Sequence, residues 1–345
     1  MTHSLPSAPP ALTIGVLDQS PVRSGGTPAE AIAETVRLAQ ACERLGYHRY
    51  WLAEHHGTDG FAGSAPEVLI PHVAQATSTI RVGSGGVMLS HYSPFKVAEV
   101  FRLLETMFPG RIDLGIGRAP GSDQLTAAAL AYGNQLGLEY FPTKIADMVA
   151  FLSDTPPPTQ ALARVRATPK TPGMPEIWVL GSSGDSASYA ALFGLPYAYA
   201  HFIAGGGGEE AVGRYRAAFS PSAWLAKPRT SLAVFALCAD TEAEANRLAG
   251  SRDLWRLRLE RGELGPYPSV EEAEAYPYSD VERAAIARTR ARTILGTPDQ
   301  VKAKLDAMAV THGADELVIV TITHDFAARV RSYELIAAAF GLARR

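Results

Sequence analysis

The side chains that could do chemistry fall in a few short clusters: Glu54-His55-His56, Gly83-Ser84-Gly85-Gly86, Gly115-Ile116-Gly117-Arg118, Gly181-Ser182-Ser183-Gly184-Asp185-Ser186, and the single His201. Glycines, hydroxyls and a guanidinium together suit an anionic ligand. If the serine-rich cluster joins a strand to a helix, it exposes unpaired backbone N–H groups at a helix N-terminus, which form a natural phosphate cradle. The plainer alternative is a serine or Asp185 that caps the helix. Arg118 could fork onto the same phosphate, or form only a surface salt bridge. Gly85 and Gly86 would let a flat ring lie against a strand end, and a β-bulge explains the same glycines without conflict. Adjacent histidines behind an acidic residue invite a metal, but only Glu54, His55, His56 and His201 could be recruited, and no His-x-His spacing is present. Metal barrels gather ligands from several strand ends, so no metal ion is expected. A histidine that donates to, or moves protons at, a bound substrate or cofactor is the better reading.

The clusters punctuate an alternation of short apolar strands and helices. Strands read at residues 12–17, 49–53, 80–89, 112–116, 176–180, 197–200, 230–239 and 316–321. Between them, apolar residues recur at helical spacing, as in Val97, Val100, Phe101, Leu104 and Met107. Thr27-Pro28 opens the first helix and Gly46 closes it. Eight β–α units predict a (β/α)8 TIM barrel, with a doubly wound open sheet as the alternative on pattern alone. The whole chain reads as one domain, with insertions after strands four and seven at roughly 123–175 and 240–295. In a barrel, residues just past each strand meet on one face, and the clusters sit at those positions.

With 47% hydrophobic residues and 19% charged, the 345-residue chain can bury a large core. Its 32 basic and 35 acidic residues are interspersed, so no basic stripe marks a nucleic-acid surface. Cys42 and Cys238 lie in apolar segments without metal spacing and read as buried thiols of a reducing, cytoplasmic compartment. Met1 to Pro10 reads as a frayed leader and not a signal peptide. No apolar run approaches the ~20 residues of a membrane span.

The same residues resemble the bacterial luciferase-like flavin monooxygenases. Trp51-Leu52-Ala53-Glu54-His55-His56 is similar to that family's strand ending in Glu-His-His. The run Arg81 to Leu89, followed by Pro94 and Ala98-Glu99, resembles its third strand and helix. Phe108 to Arg118 resembles its fourth strand, Ile177 to Ser183 with Ala190 to Pro196 its phosphate turn and helix, and Leu295 to Val301 the start of its last barrel helix. Together these span most of the chain in order.

The resemblance implies an FMN site on the strand-end face. It makes His55 the catalytic histidine and Gly85-Gly86 a non-prolyl cis peptide under the flavin ring. Gly117, Arg118, Gly181, Ser182, Ser183 and Ser186 would surround the cofactor, with His56 and His201 in the substrate or cofactor pocket. Ser182 and Gly117 depart from luciferase, which has an acidic residue and a cysteine there, so aldehyde luminescence does not carry over. The activity implied is a monooxygenase using reduced FMN and O2 on a small organic substrate, with residues 240–295 as a water-excluding lid. The partners implied are a separate flavin reductase and a second copy of the chain. Three other readings stay open: an F420- or FMN-dependent hydride-transfer reductase, a non-catalytic flavin-binding protein, and a metal-dependent hydrolase. Substrate identity is not legible; Phe61, Tyr140, Phe141, Phe202, Trp255 and Tyr267 in the candidate loops point only weakly to an apolar one.

Overall fold

The structure is a computed structural model that describes residues 12–119, 123–132 and 138–343; the leader read at Met1 to Pro10 lies outside them. The barrel strands are β1 (Thr13–Asp18), β2 (Arg49–Leu52), β3 (Arg81–Met88), β4 (Ile112–Gly117), β5 (Glu176–Gly181), β6 (Tyr197–Ala200), β7 (Thr230–Cys238) and β9 (Glu316–Val320). Each pairs in parallel with the next, β6 pairs with β7, and β7 and β1 both pair with β9. The ring closes without an edge, giving the (β/α)8 barrel and removing the open-sheet alternative.

Side-chain alternation along each strand divides the core into two layers. In β7, Ala233, Phe235 and Leu237 face the barrel interior, while Leu232, Val234, Ala236 and Cys238 pack outward against the helices. The helices start where local chemistry dictates. Thr27 caps helix Pro28–Leu45 through a reciprocal box with Glu30, and Gly46 ends it in the left-handed conformation at φ 88°.

Two features depart from the sequence reading. Residues 240–295 contain not only helices Glu242–Glu260, Val270–Ala275 and Asp280–Arg290 but also a short strand, β8 (Ile294–Gly296). β7 is long enough to serve two neighbours: Ser231–Phe235 pair with β9, and Ala236–Cys238 with β8. A three-residue strand carries too few residues to show a period, so its pattern merged with the preceding helix. The helix that the serine-rich cluster was expected to lead into begins inside the cluster, at Gly184.

The barrel floor is closed by charge. Arg49, at the start of β2 and fully buried, donates to Glu316 at 2.6 Å, to Glu176 at 3.2 Å and to Asp113 through a further short ion pair. Arg81 adds a second hold on Asp113 at 2.5 Å, and Arg229 one on Glu176 at 3.0 Å. Three guanidiniums thus face three carboxylates at the N-terminal ends of the strands. Trp51 and Trp178 meet edge to face above them, donating to Asp113 and Glu176 at 2.9 and 2.6 Å. Gly15 makes room for this cluster, because a Cβ there would come within 2.7 Å of Arg49 Cγ. A second buried network ties the last helix to the first strand: Arg329 donates to Asp18 at 2.7 Å, and Tyr50 donates to the same carboxylate at 2.5 Å.

Removing the central cation should therefore be severe. Arg49→Met leaves three carboxylates short of a partner and should cost about 3–5 kcal/mol, read as a lower urea midpoint at neutral pH. Burial alone would raise Glu176, but Arg49, Arg229 and Arg81 overcome it and hold the group at about 2, against 4.5 unperturbed. A depressed folded value means the stabilisation is complete above 4.5 and is lost as pH falls from there toward 2. Equilibrium unfolding across that window should show a loss that shrinks in Arg49→Met; an unchanged pH slope would remove Glu176 from the network.

Candidate functional site

The three candidate clusters that follow β2, β4 and β5 emerge at the C-terminal ends of their strands, opposite the charged floor. Those after β2 and β5 each line a hollow on that face. The larger, of about 430 Å³, has His55 and His56 in its wall with Gln19, Phe61, Trp255 and Tyr267. The smaller, of about 210 Å³, is formed by Ser182, Ser183 and Gly184 on one side and by Tyr199 and Arg214 on the other.

His55 is held by its ring faces more than by hydrogen bonds. It stacks on Phe61 at 4.4 Å between centroids, and Phe61 abuts Trp255 and Tyr267, which stack on each other at 4.5 Å. Nε2 lies 3.4 Å from the Gln19 side-chain amide, while Nδ1 is buried with no partner. A buried ring nitrogen without a partner is costly in a folded chain. Burial, with a smaller push from His56, lowers His55 to about 4, so the ring is neutral at physiological pH and can accept a proton at one nitrogen.

His56 behaves differently. Glu54 is buried and accepts from the Met88 backbone N–H at 3.0 Å and the Tyr92 hydroxyl at 2.6 Å, and its Oε1 lies 2.8 Å from His56 Nε2. The acidic residue of the triplet therefore orients the second histidine from the end of β3.

Gly85-Gly86 is a cis peptide within a register shift between Ser84 and Val87, so the bulge and the cis bond coincide. These glycines answer to their neighbours: a Cβ on Gly86 would lie 2.7 Å from the Gly115 carbonyl, and one on Gly115 would lie 2.2 Å from that of Ser84. Only chains without side chains allow β3 and β4 to approach so closely. Gly117 differs, since a Cβ there would meet nothing within 4 Å. The strand end is open at that residue.

At the serine-rich turn, Ser183 occupies the N-cap of helix Gly184–Leu192, yet its side chain makes no capping hydrogen bond, and Asp185 sits in the first turn. Neither serine nor Asp185 caps from the N-cap position, and the N–H groups of the first turn keep no side-chain cap. Ser186 is buried and turned inward, donating to the Ser183 carbonyl at 2.8 Å with the Tyr197 hydroxyl 3.3 Å away. Arg118 reaches the turn and pairs with Asp185 at 3.0 Å, both ends partly open to solvent. Gly181 packs on Ser186, whose Oγ is 2.3 Å from the site of a Cβ there.

Sequence reasoning missed Arg214. It lies on helix Gly208–Ala218, pairs with Glu210 at 3.0 Å, and its guanidinium rests against Gly184, with Cζ 3.2 Å from where a Cβ would stand. The signal was present, because β6 neighbours β5 and the helix after β6 starts beside the turn. His201 takes another place from the one expected. Its ring meets His312 edge-on at 5.8 Å on the helix side of β6 and is in the wall of neither hollow. Tyr197 and Tyr199 point outward from β6, and His201 opens the four-residue helix that follows the strand. Of the loop aromatics, Phe61, Phe202, Trp255 and Tyr267 line the larger hollow, whereas Phe141 is buried against Tyr189. Among the described residues, no group of three or more potential ligands is arranged to hold a metal, and no helix is long and apolar enough to cross a membrane.

The segment 240–295 roofs the larger hollow. Its Leu264 and Gly265 region is stitched to the loop after β2 by Asp59 N–H donating to the Leu264 carbonyl at 2.9 Å, and Tyr267 bonds the loop after β1 through Val22 and Ser24 at 2.8 and 2.7 Å.

A proton-NMR titration should find His55 neutral from pH 8 to about 5, with its midpoint near 4. Because this folded value lies below that of a free histidine, it contributes stability that is complete above about 6.5 and declines as pH falls toward 4. A midpoint at or above 6.5 would contradict the buried, unpartnered ring.

Comparison with known proteins agrees with this architecture. Residues 12–316 match the luciferase-like monooxygenase family. The Bacillus subtilis protein YwcH is 46% identical over 330 residues, covering 95% of this chain and 99% of its own. The N-acetyl-S-alkylcysteine monooxygenase of the same organism is 39% identical, covering 97% and 100%. The crystal structure of apo-MsnO8 superposes with a TM-score of 0.88 at 41% identity, over 97% of this chain and 99% of that one. More distant chains share the fold: a type II Baeyer–Villiger monooxygenase from Pseudomonas putida in complex with FMN (20% identity, TM-score 0.68, 95% and 97% covered) and an F420-dependent secondary alcohol dehydrogenase (14%, 0.71, 96% and 99%). With a family match across most of its length and full-length relatives well above 30% identity, this chain belongs to the luciferase-like monooxygenase family.

Proposed function

We propose that this family member is a flavin-dependent monooxygenase that uses reduced FMN and O2 to oxygenate a small organic substrate in the hollow beside His55. The observation that carries the reading is an uncapped helix N-terminus, flanked by Arg118 and Arg214, on the same barrel face as an aromatic cavity holding a neutral histidine whose Nδ1 has no partner. The residues fit the cofactor. First-turn N–H groups, the Ser182 and Ser183 hydroxyls and the two guanidiniums would hold a phosphate, with Gly181 and Ser186 shaping the turn beneath. Open space at Gly117 and the side-chain-free run Gly85-Gly86 would admit a flat ring.

Bound reduced flavin would supply the electrons for O2 activation. The chain's own part is to position and to exclude. His55 holds or accepts a proton at a ring nitrogen, and the residue assigned to catalysis is this one. His56, oriented by Glu54, presents its ring to the same hollow. Phe61, Trp255 and Tyr267 keep water away, with the 240–295 segment as a roof that opens for substrate. A separate flavin reductase as electron source, a homodimer and a cytoplasmic setting belong to the same proposal, as does a single-domain organisation.

The same cradle would take the phosphate of the deazaflavin F420, named for one fold neighbour, so two measurements are needed. Titrating the protein with FMN should quench flavin fluorescence. Arg118→Ala should weaken binding by about 1.5–3 kcal/mol, the scale of a charge-assisted hydrogen bond, and Asp185→Asn should tighten it by removing the competing carboxylate. An unchanged affinity in Arg118→Ala would take that residue out of the site. Oxygen uptake by the protein with reduced FMN should rise when a substrate is added. If substrate is turned over with no oxygen consumed, hydride transfer replaces oxygenation.

A further inference from the structure

Helix Glu242–Glu260 carries Arg252 and Arg256 one turn apart, and both line the hollow that contains His55. Neither forms an ion pair among the described residues. Arg252 is buried, lies over the Phe235 ring at 3.8 Å and makes a single hydrogen bond, to Thr293 Oγ1 at 3.3 Å. Arg256 has a buried Nε with no partner. The nearest acids are committed elsewhere. Asp253, between them in sequence, is held by Arg290 at 2.5 Å. Asp123, which also lines the hollow, accepts from the Leu125 and Thr126 N–H groups at 2.8 and 3.0 Å and from the Thr126 hydroxyl at 2.7 Å.

Two like charges at helical i, i+4 spacing repel, and burying a guanidinium without an anion is costly. Among the described residues, the other buried arginines each have a carboxylate: Arg49 has three, Arg102 has Asp154 and Arg329 has Asp18. The pair beside His55, Arg252 buried and Arg256 half-buried with a sealed Nε, has none, and it lines a hollow whose wall also holds Phe61, Phe202, Trp255, Leu259 and Leu264 beside the polar Gln19, Thr58 and Asp123. A planar, bidentate anion matches two adjacent guanidinium forks, and an apolar body matches the rest of the wall.

We infer that this hollow selects an organic carboxylate with an apolar body, its carboxylate bound by Arg252 and Arg256 and its apolar part directed toward His55. The inference rests on the proposed function only in taking that anion as the substrate's and not the cofactor's.

The test uses cofactor-free protein and the probe pair octanoate and octanamide, which share an apolar chain and differ in charge, with binding measured by calorimetry. Octanoate should bind roughly tenfold or more tightly than octanamide, as a charge-assisted hydrogen bond requires. Arg256→Gln should abolish that preference while leaving FMN affinity within about twofold, a change below ~0.5 kcal/mol. Equal affinity for the two probes in the wild-type protein overturns the inference, whether or not Arg256→Gln folds. So does a preference that survives in Arg256→Gln, or a variant that loses FMN binding in place of octanoate binding. Failure of FMN to bind the wild-type protein would sink the flavin reading and leave the carboxylate preference measurable.

Discussion

One buried cation holds the geometry together. Arg49 reaches from β2 to β4, β5 and β9 through Asp113, Glu176 and Glu316, so a single guanidinium spans the interior at the end remote from the chemistry. Ion pairs of this kind gain little net free energy once desolvation is counted, but losing one partner is severe. What the arrangement supplies here is register. Each carboxylate sits at or near the first residue of its strand, so the cluster fixes how far every strand rises before its end, and with it the height at which His55, Arg118 and Ser182 emerge. The tryptophans above it fill the interior and bond the same carboxylates. The site stands on a floor that tolerates no slippage of strand register.

Above that floor, the two hollows have opposite characters. One is lined by the serine hydroxyls, Gly184 at a helix start and the Arg214 guanidinium with its partner Glu210, with Arg118 beside the turn, and suits a phosphate. The other is aromatic and holds a histidine that burial keeps neutral. The two characters are kept apart: the groups that suit an anion stand at one hollow, while the neutral His55 ring faces the aromatic surroundings of the other. The close approach of β3 and β4, possible because Gly86 and Gly115 lack side chains, lies between the two.

Much of this was legible in the residues. The eight barrel strands were visible because buried parallel strands are short apolar runs bounded by turn signals. The serine-rich turn and Arg118 were visible because strand order in a barrel follows chain order, so β4 and β5 had to be neighbours. What was not legible depended on side-chain direction or on segments without a period. His201 falls at a strand end like the others, but the chain turns into a short helix there and the ring meets His312. Arg214 needed the sideways contact of one helix with the next strand's turn. Arg252 and Arg256 lie in a polar helix of mixed sequence where nothing in the pattern marks which arginines face solvent and which face a cavity. β8 was too short to show itself.

The two thiols show how the same packing shapes the chain's durability. Cys42 and Cys238 are both buried on the helix side of the sheet. Burial pushes the Cys238 thiol up to about 12 and raises Cys42 further still. Oxidants attack the thiolate and not the thiol. The barrel thereby keeps both sulfhydryls in the protonated, unreactive form, shielded from the oxidative damage that an exposed thiolate would take.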